Sequence, residues 1–370
     1  MAESTSLAEL IQLRIDEFLA DRTSILASVG ADLAPVSEFS REFLSGGKRF
    51  RAQFCWWGWQ SVRAEGTASD EAEAARALRC IVSAASALEL FHAAALVHDD
   101  IIDKSDTRRG APSAHRRFED LHRAAGYAGE AADYGRSAAL LLGDLLLGFS
   151  DELFDDALAD LDDTGVARAA RREFNRMRLE VTAGQYLDIL EENAWKVHPE
   201  EQQLSRAERV VTYKSAKYSV EAPLVIGATL AGGTPDQIDA LRAFGLPLGV
   251  AYQLRDDLLG VFGDSAVTGK PSGDDLREGK RTILIAHARQ ALPTGSRHVL
   301  DDLLGDPALD ADQVRMLQRT IADSGAIDRV EELIDENVAS ARAAIDDAPL
   351  TDSAREHLGR LTTTVTRRTF

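Results

Sequence analysis

Apolar residues return at intervals of three and four along almost the whole chain, and no region replaces them with a sustained apolar–polar alternation and hairpin signals. That periodicity confines the chain to an all-helical fold. It predicts helices over residues 6–29, 36–64, 70–104, 135–160, 164–191, 205–231, 235–263, 280–291, 297–304, 311–323, 326–347 and 351–365. Glycine and proline mark the joints, among them Gly110–Pro112, Gly126–Gly129, Gly232–Pro235 and Gly263–Gly273. Sparse aromatics and thinly spread prolines suit the same reading. No repeat, Ser- or Pro-rich linker or low-complexity run divides the 370 residues, so a single domain over 1–370 is expected.

The chain carries 42 basic against 61 acidic side chains, a formal charge of −19. A general nucleic-acid binder shows a basic footprint, so that class is disfavoured. An acidic protein that handles anions has to gather its cations locally or recruit metal ions. Cys55 and Cys80 are the only cysteines, which suits a reducing compartment and argues against a disulfide scaffold. Met1 to Leu19 is polar and acidic, without the apolar core of a signal peptide. The apolar run Ala138–Phe149 is interrupted by Asp144 and is too short to span a bilayer. The expectation is a soluble cytoplasmic protein with no membrane span.

Two of the helices end in carboxylates. One passes through Leu88, Phe91, Leu96 and Val97 to His98-Asp99-Asp100-Ile101-Ile102-Asp103; the other reads Gln253-Leu254-Arg255-Asp256-Asp257-Leu258-Leu259-Gly260. Asp99 and Asp103, four apart, share one helix face about 6 Å apart along the axis. Hard oxygen ligands at this spacing suit Mg²⁺, which keeps several waters and joins a few carboxylates to substrate phosphates. A solvated helix end with stray acids is the plain alternative in so acidic a chain. The flanks weigh against it: Arg108-Arg109-Gly110 follows the first cluster, and Thr268-Gly269-Lys270 and Glu278-Gly279-Lys280-Arg281 follow the second. Carboxylates for metal ions beside guanidiniums and ammoniums are fit to hold a diphosphate.

At these motifs the sequence resembles the trans-isoprenyl diphosphate synthases, also called polyprenyl synthetases. The first Asp-rich motif matches as Asp99-Asp100-Ile101-Ile102-Asp103 with Arg108-Arg109-Gly110 behind it. Gly46-Gly47-Lys48-Arg49-Phe50-Arg51 matches the family's GGKRxR, with Ala52 where proline is usual. Glu89 and His92 match its E-x-x-H, Gly184-Gln185-Tyr186-Leu187-Asp188 its GQxxD, and Lys214-Ser215-Ala216 its K-T-G/A. Gly249-Val250-Ala251-Tyr252-Gln253 leads into the second Asp-rich motif. The ordered matches run from about residue 40 to 285, with C-terminal helices continuing to 370.

The resemblance implies a bundle of ten or more helices around a central cavity, the isoprenoid synthase fold. It implies a prenyltransferase that condenses isopentenyl diphosphate with an allylic diphosphate, with Mg²⁺ as cofactor (three ions once substrates are bound) and a homodimer as the assembly. Asp99, Asp103 and Asp256 would hold the ions, with Asp100 and Asp257 orienting the groups and waters around them. Arg108, Lys214, Lys270 and Lys280 would contact the allylic diphosphate, and Lys48, Arg51, His92 and Arg109 the diphosphate of isopentenyl diphosphate. Gln185 and Gln253 would stand near the reacting carbons or metal waters.

One departure matters. The family's second motif is usually DDxxD, and here its last position is Gly260; Asp264, four residues on, either compensates or caps the loop. Competing readings are a class I terpene synthase, a non-catalytic synthase subunit and a di-iron helical bundle using Glu89/His92 and Glu119/His122. The Lys48/Arg51/His92/Arg109 set weighs against a cyclase, and the intact first motif against a non-catalytic subunit. For product length, Ala95 and Ala94 lie four and five residues before Asp99 and are small, whereas Phe91 lies about 12 Å down the same stripe. A floor at Phe91 favours geranylgeranyl diphosphate (C20) over farnesyl (C15) or longer products.

Overall fold

The computed structural model describes residues 6–63, 70–264 and 271–366. The chain divides into two compact units: Met1–Arg171 with Ile226–Gly232, and Arg172–Val225 with Gly233–Phe370. Both are helical, as the periodicity predicts.

The first unit is organised by α4, Glu71–Ile102, whose N-cap Asp70 accepts a hydrogen bond from the Glu73 N–H. Its residues are small and apolar on almost every face, and α1 (Leu7–Val29), α3 (Phe50–Val62) and α6 (Ala131–Ala159) pack around it. Ile81, Ala84, Ala85, Leu88, Leu90 and Val97 are buried. In length and composition α4 could cross a membrane, yet most of it lies inside this unit's core. The sequence expectation of one helix over 36–64 is corrected. α2 (Ala34–Phe43) stops before Gly46-Gly47, and α3 begins at Phe50 after Arg49 adopts a left-handed conformation. Residues 114–125, outside the helices expected from periodicity, form α5, with Phe118, His115, Glu119 and His122 turned inward. Too few apolar positions mark that face for periodicity to reveal it.

The second unit takes α7 (Thr164–Ala194) from Arg172 onward and α8 (Gln203–Val210), which continues as a π-helix over Val211–Glu221 and returns to α-helix in α9 (Ala222–Leu230), whose residues from Ile226 onward count with the first unit. Next comes α10 (Pro235–Phe262), opened by a capping box between Thr234 and Gln237. Five further helices follow α11 (Asp274–Glu278): α12 (Ile283–Ala291), α13 (Thr294–Leu303), α14 (Ala311–Asp323), α15 (Ala326–Asp346) and α16 (Asp352–Thr366). Leu254, Leu258 and Val261 of α10 join Leu276, Leu284, Leu317 and Ile334 in the core. α10 lies unusually close to the π-helix. A Cβ on Gly249 would stand 2.4 Å from the Ala216 carbonyl oxygen, and one on Gly245 2.7 Å from Glu221 Cα. The glycine of the sequence G-V-A-Y-Q is therefore a packing requirement.

Candidate active site

In the first unit, Asp99 and Asp100 occupy the last turn of α4 and Asp103 caps it, its N–H bonded to the Asp99 carbonyl at 2.8 Å. Asp100 is fully buried and accepts hydrogen bonds on Oδ1 from Arg108 Nε, at 2.9 Å, and Nη2. Arg108 Nη2 also lies 3.7 Å from Asp99 Oδ2. Arg108 stands on a two-strand hairpin, β1 (Thr107–Arg108) against β2 (Ala111–Pro112). Its two-residue turn is Arg109-Gly110, both with positive φ. Such a turn needs glycine or a tolerant residue, which explains the order Arg-Arg-Gly and leaves the Arg109 side chain projecting from the tip.

Glu89 anchors the basic segment before α3. Its carboxylate accepts from Arg49 Nη1 at 3.2 Å and from the Ala52 N–H at 3.2 Å, all of it buried. Arg49 additionally donates to Gln12 Oε1 at 2.7 Å and to the Leu44 carbonyl. Lys48 and Arg51 therefore leave a segment that is held from beneath. The Arg109 guanidinium lies 3.7 Å from where a Cβ on Gly47 would be. His92 sits within this group. Burial, then the charges of Arg51, Arg109, Arg108 and Arg49, push its pKa well below the ordinary value, so the ring is neutral. Among the described residues, no carboxylate forms an ion pair with Lys48 or Arg109.

The Glu-x-x-His pairs do not assemble a di-iron site. Glu89 is engaged by Arg49, and Glu119 by Arg116 and Arg123. His122 Nε2 meets the Ala128 carbonyl at 3.2 Å. His98, beside Asp99, contacts the Leu140 carbonyl at 3.2 Å, where Gly143 leaves room for its ring.

In the second unit, α7 presents Glu180, Gly184 and Asp188 along one stripe to the π-helix. Glu180 accepts from Lys217 Nζ at 3.0 and 3.1 Å. At Gly184 the backbones touch, for a Cβ there would lie 2.3 Å from the Lys214 nitrogen. Asp188 then accepts from Lys214 Nζ at 2.5 Å and Lys280 Nζ at 3.1 Å, and Lys280 also donates to Glu192 Oε1 at 2.7 Å. Burial raises the Asp188 pKa, but the two ammoniums outweigh it and hold the carboxyl below its ordinary range. Glu192 goes the other way, raised by burial against the pull of Lys280. The π-helix places Lys214 at a local break in helical regularity, where functional groups are often found. Gln185, next to the contact glycine, is half-buried.

On α10, Asp256 is half-buried and Asp257 is 4% exposed. Gln253 Nε2 donates to Asp257 Oδ1 at 2.7 Å. Desolvation lifts the Asp257 pKa to about 7, against the Gln253 hydrogen bond, with a further push from Asp256. Its Oδ2 is buried and receives no hydrogen bond. A buried carboxylate oxygen without a donor is the atom a cation would satisfy, so Asp257 and Asp256 fit a hard metal ion. Among the described residues, no three Asp, Glu, His or Cys side chains stand close enough to enclose an ion unaided.

The structure thus brings Arg108 onto Asp100, Lys214 and Lys280 onto Asp188, and Gln253 onto Asp257. Lys270 lies outside the described residues. Sequence reasoning left Glu192 and Glu180 unassigned; their signal is the four-residue spacing, 180–184–188–192, on one face of α7. Phe91 is 4% exposed and Ala94 fully buried, while Ala95, on the Asp99 face, is half-buried.

Residues 34–321 match the polyprenyl synthetase family. A geranylfarnesyl diphosphate synthase of Aeropyrum pernix is 32% identical over 292 residues, covering 78% of this chain and 81% of that protein. A geranylgeranyl diphosphate synthase of Sulfolobus acidocaldarius is 29% identical over 231 residues, 62% of this chain and 63% of the relative. The crystal structure of a geranylgeranyl pyrophosphate synthase from Corynebacterium glutamicum, complexed with isoprenyl diphosphate and magnesium, is similar with a TM-score of 0.90. It is 35% identical, and the match covers 99% of this chain and 100% of that one.

Proposed function

We propose that this chain, a trans-prenyltransferase that belongs to the polyprenyl synthetase family, makes geranylgeranyl diphosphate (C20) as its main product from isopentenyl diphosphate and an allylic diphosphate. The family match spans residues of both compact units, which supports reading them as one catalytic domain. The observation that carries the proposal is the cation group around His92. Guanidiniums crowd a neutral imidazole there, while Lys48 and Arg109 have no carboxylate ion pair among the described residues. Glu89 and Asp100 answer Arg49 and Arg108, and the diphosphate of isopentenyl diphosphate would supply an anion for Lys48 and Arg109. A terpene cyclase has no use for it.

Asp99, Asp103 and Asp256 would hold Mg²⁺, with Asp100 and Asp257 as the buried carboxylates behind them; three ions are proposed in the substrate-bound state. Bound Mg²⁺ neutralises charge on the departing diphosphate. Arg108, Lys214, Lys270 and Lys280 hold the same allylic diphosphate as its C–O bond breaks and the electron pair leaves with oxygen. Lys48, Arg51, His92 and Arg109 fix isopentenyl diphosphate so that its double bond attacks the allylic cation. A proton is then lost from the new chain, and the released diphosphate is its acceptor. Asp100 keeps Arg108 in place, and Gln253 keeps Asp257 in place. Gln185 is assigned to the substrate side of α7.

Phe91 is the proposed floor for the growing chain, with Ala95 and Ala94 leaving the path above it open. Relatives named for C20 and for C25 products both occur, so length rests on this residue rather than on kinship. A homodimer in the cytoplasm is proposed, and the two buried free thiols, Cys55 and Cys80, support a reducing compartment. The test is incubation with labelled isopentenyl diphosphate, each allylic primer and Mg²⁺, followed by sizing of the dephosphorylated products. A C20 product is expected. A C15 or C25 product rejects the length assignment, and no incorporation rejects the enzyme.

A further inference from the structure

Lys280 does not dock on α7 alone; the residue after it docks beside it. Lys280 and Arg281 lie in the link between α11 and α12, just past Gly279, which turns the chain with a positive φ. Lys280 reaches Asp188 and Glu192 of α7. Arg281 meets Trp195, which directly follows the last residue of α7 and stands three positions after Glu192. The Arg281 guanidinium carbon is 3.7 Å from the centre of the indole ring, a close cation–π contact. The rest of the guanidinium is held from α13, where Nη1 donates to Asp301 Oδ1 at 3.1 Å. Arg289 of α12 donates to both oxygens of the same carboxylate, from Nε at 2.7 Å and Nη2 at 2.9 Å. Arg281 is largely buried, and that burial lowers its pKa to about 10 against the pull of Asp301, so it stays charged at neutral pH. Its charge is directed at protein groups, whereas Lys280, one peptide unit away, belongs to the lysine pair on Asp188.

We propose that Trp195 and Arg281 are positioning residues, which fix the link so that the Lys280 ammonium stands ready for the allylic diphosphate. The proposal rests on the reading of Lys280 as a contact to that diphosphate. A lysine is a point charge on a flexible four-carbon stem, and Asp188 and Glu192 hold only its tip. Once the ammonium turns to a diphosphate, that hold is released, and the position of the stem depends on the backbone of residue 280. On one side the Lys280 N–H donates to the Asp275 carbonyl at 3.1 Å. On the other, the stack of Arg281 on Trp195 ties the link to the end of α7 independently of the ammonium. A lysine held in this way loses less freedom on binding than one on a loose link.

A double-substitution cycle in KM separates this role from general support of the fold. Trp195→Leu keeps an apolar side chain and removes the flat ring. It is expected to raise KM for the allylic primer about five- to thirtyfold, the range of a desolvated cation–π contact, with KM for isopentenyl diphosphate within about twofold. Trp195→Phe, which keeps a ring, should recover most of that difference. Arg281→Gln should repeat the Trp195→Leu pattern; Asp301 keeps its Arg289 hydrogen bonds in that variant, which reads the same contact if the leucine variant does not fold. In a Lys280→Ala background, Trp195→Leu should add nothing further to the primer KM, because the lysine through which it acts is gone. A wild-type primer KM in folded Trp195→Leu or Arg281→Gln overturns the proposal. An equal rise for both substrates, or a full further rise in the Lys280→Ala background, overturns it too. In each of those cases Lys280→Ala alone still raises the primer KM. A primer KM unchanged by Lys280→Ala itself would instead reject the reading of Lys280, and the proposal with it.

Discussion

Around His92 in the first unit, Arg49 and Arg108 hold buried carboxylates while Lys48 and Arg109 form no carboxylate ion pair among the described residues; around Asp188 in the second, Lys214 and Lys280 both hold a carboxylate. Crowding by Arg51, Arg109, Arg108 and Arg49, together with burial, keeps the His92 ring neutral. Lys214 and Lys280 instead share Asp188, and Lys280 adds Glu192. In the proposed site, Lys48 and Arg109 of the first group are left for an arriving anion. In the proposed site the second would exchange one anion for another, its lysines being held by Asp188 and Glu192 beforehand. The difference suits two substrates with different tasks: isopentenyl diphosphate must be held, whereas the allylic diphosphate must be held and then stabilised as it leaves.

The largest effect expected lies where both plans depend on metal. Asp99→Ala and Asp103→Ala should each lower turnover by about a thousandfold or more while leaving the helical circular dichroism intact. Asp256→Ala should do the same, and Asp264→Ala should be far milder. Near-normal Mg²⁺-dependent turnover in folded Asp99→Ala would remove the first motif from the site.

The compensated region should respond to loss of its carboxylate as a buried ion pair does. Asp188→Asn leaves two largely buried ammoniums short of a counter-charge, at a cost of about 3 kcal/mol. Thermal melting should show the loss, and Mg²⁺ with inorganic diphosphate should recover much of it by supplying the missing negative charge. A melting temperature unchanged from the wild type would mean that Glu192 alone balances both lysines.

The product-length assignment is a smaller, discrete effect. Phe91→Ala should extend products beyond C20, and Ala95→Phe should shorten them toward C15. Ala95 is the cleaner site, because Ala94 is fully buried and a phenylalanine there would overpack the core by about 1–3 kcal/mol. Chromatography of dephosphorylated products reads both; an unchanged C20 distribution in Phe91→Ala places the floor elsewhere.

The smallest effect separates the two regions by pH. His92 holds its proton more weakly in the folded chain than in the unfolded one, so below about 6.5 the unfolded chain binds more protons and stability is lost on acidification. Asp257 has the opposite slope. Its pKa is lifted from 3.8 to about 7, so the metal-free folded chain carries the extra proton and stability falls as pH rises through that interval. In metal-free melts, His92→Gln should flatten the acid-side loss and Asp257→Asn the decline toward neutrality, each by a few degrees. If either slope survives its substitution, the assignment of that group is wrong.

Much of this was legible in the sequence, for reasons that differ by element. α4 and α10 announce themselves by continuous apolar periodicity ending in acids. α5 does not, because Arg116, Arg117, Arg123 and Asp120 obscure a face held by Phe118 and two histidines. The break before α3 depends on Arg49 and two glycines with positive φ, a backbone choice that periodicity cannot register. The π-helix is invisible for a related reason: it alters the number of residues per turn without altering composition. Asp99, Asp256 and Lys214 were singled out as candidates from motif and spacing. The grip of Asp188 and Glu192 on Lys280 was not, since those residues lie 92 and 88 positions apart in the chain.

The central claim is that each cation group serves its own diphosphate, and a crossed kinetic comparison tests it most directly. KM for isopentenyl diphosphate and for the allylic primer should be measured in Arg51→Ala, Arg109→Ala and Lys214→Ala. Losing a charge-assisted contact costs about 1.5–3 kcal/mol, roughly ten- to a hundredfold. The arginine variants should show that rise for isopentenyl diphosphate with little change for the primer, and Lys214→Ala should show the reverse. Equal impairment of both substrates in all three folded variants would contradict the account.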